Sequence, residues 1–171
     1  MEHGNIGHGP MEHMRAMRRK DRQVSDAEQI FDMVYRCQVL RLALPDKDAP
    51  YVVPLSFGVE QKEGKLVFYA HCAKVGRKLE LIGDGVTAGV ELDSFLGYGG
   101  EGRNSTAYYE SVIGVGRVEQ VTGEEAVHGL DLLMEHCGRE KQDFAACLPH
   151  TAVLRVTVDK LSAKANPLPE E

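Results

Sequence analysis

The sequence predicts a mainly β protein with peripheral helices, arranged as a closed antiparallel barrel of six strands with helices at its ends. Three observations lead there. Six runs carry the period of two expected of strands, and only three short segments carry a helical period. The connections PDKDAP and EQKEG are short and turn-rich, which favours antiparallel neighbours over crossover units. Gly114 and Gly116 interrupt the longest run, where a barrel needs a bulge or a sharp corner. With neither an internal repeat nor an alternating βα pattern, a doubly wound sheet is the weaker choice.

Residues 1–22 form an N-terminal basic arm, because a Gly-, His- and Met-rich leader with His3, His8 and His13 runs into RAMRRKDR and neither part offers a packed face. The barrel domain spans 23–165 and a tail 166–171. Ser25 and Glu28 make a capping box ahead of a helix whose buried stripe is Ala27, Ile30, Phe31 and Val34. Strand-like runs follow at 39–44, 51–59 and 65–71, which read as a meander. One or two helical turns fit 74–82, ended by Gly83, Asp84 and Gly85; a strand at 86–92 and a Gly-rich loop at 97–105 come next. The long strand covers 107–121. Thr122 and Glu125 form a second capping box, opening a helix buried along Ala126, Leu130, Leu133 and Cys137, and a strand at 151–158 closes the domain.

The 171 residues suffice for one hydrophobic core, and 43% hydrophobic with 27% charged residues is ordinary for a globular chain. A net charge of -6 leaves no basic excess for a phosphate backbone, so nucleic acid is not an expected partner. No apolar run reaches the ~20 residues that cross a bilayer, and MEHGNIGHGP lacks the apolar core of a signal peptide; the expectation is a cytoplasmic protein without a membrane partner. Cys37, Cys72, Cys137 and Cys147 are widely spread and read as reduced thiols. His136, Cys137, Cys147 and His150 have a loose zinc-like spacing. Neighbours on a helix point to different sides, however, so no metal is expected, and two apolar fillers with two surface histidines is the simpler reading.

No GxGxxG follows a strand, and GxxxxGK[ST] and GxSxG are absent, so the usual phosphate cradles and nucleophile elbow are missing. Chemistry concentrates instead in FYAHCAKVGRKL, where an apolar strand ends in His71 and a short basic helix begins. Arg77 and Lys78 at the helix start suit an anion; a solvated helix face is the other reading. His71 could donate to a reacting group or be a satisfied core histidine.

These segments, in their order, resemble the pyridoxamine 5'-phosphate oxidase-like family of FMN-binding split barrels, and within it the nitroimidazole resistance branch. The resemblance runs from MRRKDRQVSD through RLAL, PYVVPLSFG, FYAHCAKVGRKLELI and YYESVIGVGRVEQV to LRVTVDKLSAK, covering Met17 to Lys164. It implies a homodimer with FMN between the subunits, its phosphate held by Arg77 and Lys78. Pro54, Leu55 and Ser56 would lie beside the isoalloxazine edge, Tyr69 would contact the cofactor, and His71 would lie close to the reactive face and act in catalysis. Tyr108, Tyr109 and Ser111 would line the substrate pocket, barrel or dimer packing being the plain alternative for any one tyrosine.

The implied activity is flavin-dependent reduction of small nitro-aromatic compounds, carrying 5-nitroimidazole drugs to amines and so conferring antibiotic resistance. With no Trp and the ending LSAKANPLPEE, the chain departs from the vitamin B6 oxidases, which argues against oxidation of pyridoxamine phosphate. Deazaflavin F420 or haem in place of FMN, and a non-catalytic flavin or small-molecule carrier, are the alternatives.

Overall fold

The computed structural model describes residues 16–169, so the three leader histidines lie outside the described residues. In chain order the elements are β1 (Gln23–Val24), α1 (Ala27–Arg36), β2 (Leu40–Leu44), β3 (Tyr51–Leu55), β4 (Gly58–Lys62), β5 (Lys65–Ala73), α2 (Arg77–Ile82), β6 (Val86–Gly99), β7 (Thr106–Val121), α3 (Gly123–His136) and β8 (Thr151–Asn166). All pairings are antiparallel. The sheet order is β3-β2-β6-β7-β8-β5-β4, with β1 added to β8.

Eight strands replace the expected six for two reasons. The run 51–59 divides at Ser56 and Phe57: β3 pairs with β2, β4 pairs with β5, and the two halves end on opposite edges of the sheet. Consecutive strands that are not hydrogen-bonded to each other make this barrel a split one, and they turn the expected meander into two separate hairpins. Phe57, fully buried and edge-to-face with Phe68 at 5.5 Å, plugs the seam. The eighth strand is β1, directly after the basic arm, which pairs Gln23 with Lys164 and Val24 with Ala163.

Register irregularity falls between Val115 and Gly116, where the glycine spacing predicts a bulge. A Cβ on Gly116 would meet the Thr157 carbonyl oxygen at 2.2 Å, so close approach of β8 is what demands glycine. A second irregularity, between Phe95 and Gly97, accompanies an extension of β6 to Gly99; the Gly-rich loop shrinks to 100–105. Both flanking strands also outrun their predicted ends because cross-strand pairing is a tertiary gain invisible in local pattern.

Helix caps differ from expectation. Asp26, not Ser25, caps α1, accepting from Gln29 N at 2.8 Å, and Thr122 occupies the cap position of α3 with no side-chain cap bond. Glu125, the other half of that second box, is engaged by Arg155 instead. On α3 the buried stripe is Ala126, Gly129, Leu130 and Leu133, with Cys137 exposed beyond the helix end.

Two cores result from strand alternation. Leu66, Phe68 and Ala70 of β5 enter the barrel with Leu40, Leu42, Leu92, Leu154 and Val156. Val67 and Tyr69 face the other way, into a second cluster under α3 with Val121, Ala126, Leu130, Phe144 and Val153. No helix among the described residues is long and apolar enough to cross a membrane.

Candidate functional site

β5 leaves the barrel at Ala73, and the chain turns through Gly76, at φ 123°, into α2. This turn sets Arg77 and Lys78 beside the first residue of β3, producing a groove of about 210 Å³ lined by Tyr51, Cys72, Val75, Gly76, Arg77 and Lys78. α2 has only six residues and bonds Leu79 N and Glu80 N back to Gly76 O, so the side chains rather than a helix dipole give the groove its positive charge.

Arg77 is held on two sides. Its Nε donates to Asp46 Oδ2 at 3.0 Å and its Nη2 closes a second contact to the same oxygen, while the guanidinium carbon stands 5.0 Å from the centre of the Tyr51 ring. Asp46 in turn accepts from Lys47 N at 2.7 Å. That backbone donor and the neighbouring guanidinium hold the Asp46 carboxyl below its ordinary range. Burial pushes the Cys72 thiol up, opposed by the positive charge of Lys78. The Nη1 hydrogens of Arg77 have no acceptor among the described residues, which leaves one edge of the fork for an anion such as a phosphate. An FMN phosphate therefore fits the donors present.

Pro54 and Ser56 are exposed and Leu55 is buried, toward the far end of β3 from Tyr51 and just beyond it, roughly 10 to 17 Å along the strand at ~3.3 Å per residue. Sharing the Pro54 side of this edge, Val52 is 54% exposed. His71 is exposed and pairs with Val153, which excludes the satisfied core histidine, but it projects from the β5 face opposite Cys72 and so is not brought to the groove within one protomer.

Tyr69 does not join the groove either. It is 1% exposed on that same face of β5, its ring packed on Gly129 of α3 and its hydroxyl donating toward Glu60 (3.2 Å) and Glu125 (3.4 Å). Period-two alternation puts residues 69 and 72 on opposite sides of the sheet, so a cofactor in the Cys72 groove is out of reach of Tyr69. Desolvation and the two carboxylates push its phenol well above the ordinary tyrosine range. Around it runs a polar chain in which His128 contacts Glu60 and Arg155 bridges Glu125 and Glu119.

Tyr108, Tyr109 and Ser111 are likewise not brought to Arg77 within one protomer. They sit at the other end of β7 from Arg117, whose Nη2 donates to Asp84 O just beyond α2; Tyr109 lies eight residues, or roughly 27 Å, away. Tyr109 is partly covered by Arg22 of the arm.

The zinc-like quartet does not assemble. His136 directs Nδ1 at Phe57 O and Nε2 at Tyr35 O, Cys147 bonds Phe144 O, and no group of three or more metal-ligating side chains occurs among the described residues. Cys137 and Cys147 are exposed rather than apolar fillers, and all four cysteines are free.

A family described as pyridoxamine 5'-phosphate oxidase matches residues 26–165, from the α1 cap through β8. The chain belongs to this family. Solved structures agree on the fold. A proposed 5-nitroimidazole antibiotic resistance protein from Bacteroides thetaiotaomicron is 24% identical with a TM-score of 0.71, over 83% of this chain and 85% of that one. The flavocytochrome Anf3 from Azotobacter vinelandii has 19% identity and a TM-score of 0.73, over 95% and 80%. A FAD and heme binding protein from Mycobacterium smegmatis has 19% identity and a TM-score of 0.70, over 88% and 76%. No curated protein sequence gives a significant match. For a pyridoxamine 5'-phosphate oxidase family member, Tyr51 in the groove and Asp46 behind Arg77 are residues that sequence reasoning missed. Asp46 sits in a polar turn indistinguishable from ordinary turn chemistry, and Tyr51 looks like any strand aromatic.

Proposed function

We propose that this chain is a homodimeric flavin-dependent reductase of small nitro-aromatic compounds, 5-nitroimidazoles included, with FMN as its cofactor. The observation that carries the reading is the groove, where Arg77 and Lys78 converge beside Tyr51 and one edge of the Arg77 fork has no protein acceptor. Bound there by its phosphate, FMN would supply the hydride that reduces a nitro group. Arg77 and Lys78 bind and orient, and the exposed Val52 and Pro54 edge offers an apolar wall on which a ring could lie. His71 lies on the Tyr69 face of β5, opposite Cys72, so its imidazole would donate a hydrogen bond or proton to nitro oxygens of a ligand held by the partner subunit rather than by its own groove.

A second copy enters for a geometric reason. The roughly 27 Å between Tyr109 and the α2 end of β7 prevents one protomer from placing both ends of the expected pocket around one ligand, whereas a symmetric dimer brings the far end of one barrel to the near end of the other. Likeness to the Bacteroides protein favours the nitro-aromatic substrate over other acceptors. The same proposal puts the protein in the cytoplasm.

Titration of FMN and riboflavin into wild type, Arg77→Ala and Lys78→Ala tests the reading. Each substitution is expected to weaken FMN by about 1–3 kcal/mol, the scale of a charge-assisted hydrogen bond, and to leave riboflavin unaffected. Unchanged FMN affinity in both variants would remove the cradle.

A further inference from the structure

We infer that Asp46 is the positioning residue of the anion cradle, fixing the Arg77 guanidinium against Tyr51 so that its free edge meets a ligand phosphate already aligned; this rests on the flavin reading above. Arg77 is a poor ligand without help. Its side chain is 61% exposed, and a free arginine samples many rotamers that must be given up on binding. Asp46 is the opposite, with a side chain only 13% exposed and one oxygen already bonded to the Lys47 amide. The rigid partner is thus the carboxylate, anchored in the turn between β2 and β3, and the mobile partner is the cation.

The contact is also selective about which hydrogens it uses. Asp46 Oδ2 takes the Nε–H and an Nη2–H, the side edge of the guanidinium, and leaves Nη1 and the remaining Nη2–H uncommitted. Those two nitrogens form the outer fork that binds a phosphate bidentately. Tyr51, placed by the first position of β3, covers a face of the same planar group. Two positions, 46 in the β2–β3 turn and 51 at the start of β3, therefore restrict one side chain of α2.

Asp46 also brings a negative charge near the expected phosphate, an opposing effect that salt separates. At an ionic strength of about 0.5 M, screening falls within a few ångströms, so the repulsion fades while the benefit of alignment persists. Binding of FMN and riboflavin, followed by flavin fluorescence, is measured at that salt for wild type, Asp46→Ala, Asp46→Asn, Arg77→Ala and the Asp46→Ala/Arg77→Ala double variant. Asp46→Ala is expected to raise the FMN Kd about 2- to 10-fold, the range for immobilising one long side chain on binding, with riboflavin unchanged. Asp46→Asn, which keeps the shape of the turn, should fall between. In the Arg77→Ala background the Asp46 change should have no further effect on FMN.

If Arg77→Ala weakens FMN but Asp46→Ala leaves it unchanged or tightens it, the positioning role is overturned and the cradle stands. A parallel loss of riboflavin affinity would mark Asp46 as merely structural and overturn the role too. Arg77→Ala without effect on FMN would overturn the cradle and this inference together.

Discussion

Gly58 is where α3 is fitted to the barrel, and replacing it with alanine measures how tightly. A Cβ there would lie 2.4 Å from Leu133 N and 2.5 Å from Leu132 C, about 1 Å short of ordinary contact, and both atoms belong to helix backbone that no rotamer change can move. Accommodation requires α3 to lift off β4 over the row Ala126, Gly129, Leu130 and Leu133. Overpacking of this kind costs about 1–3 kcal/mol or more, and alanine's smaller unfolded-state entropy returns about 0.5–1 kcal/mol. A net loss of up to about 2.5 kcal/mol in a chain of this length lowers Tm by up to about 10 °C. Gly89 provides the matched control: it also lies in a strand, but its added Cβ meets only Ala43 Cβ at 3.5 Å, ordinary contact, so Gly89→Ala should be neutral or slightly stabilising. Thermal and urea unfolding of the two variants decide the matter. Equal midpoints would refute the account of α3 docking, as would a Gly58→Ala protein as stable as wild type.

The phenol of Tyr69, raised above the ordinary range by desolvation and its two glutamates, should be the last of the six tyrosines to ionise in the native protein. Because its folded value is the higher one, its contribution is complete below about pH 10 and is lost as pH rises past that point; a phenolate absorbance titration showing all six ionising together would contradict this. Arg155→Met strands Glu119 and Glu125 and should cost about 1–3 kcal/mol, part of which returns when both are made glutamine. A triple variant no more stable than the single one would show that the carboxylates are not the cause. Exposed His71 can be replaced by alanine without loss of Tm, yet turnover per flavin-loaded subunit should fall about 10²-fold; wild-type turnover would end its assignment.

Local pattern carried the strands, the three helices and the bulge at Gly116, because each depends on side-chain period or backbone freedom that neighbours in sequence already specify. It carried Arg77 and Lys78 as a basic pair after an apolar strand, and the order of segments indicated the family that residues 26–165 match. Only the tertiary structure divided 51–59 at Phe57, since nothing local says that two consecutive strands will pair on opposite edges. Only it separated Tyr69 from the groove, because facing is a property of the whole sheet and the apolar run at 66–70 is buried on both sides. And the clamp of Asp46 and Tyr51 on Arg77 joins positions 26 or more residues apart in the chain, a meeting that follows from strand register and leaves no trace in local composition.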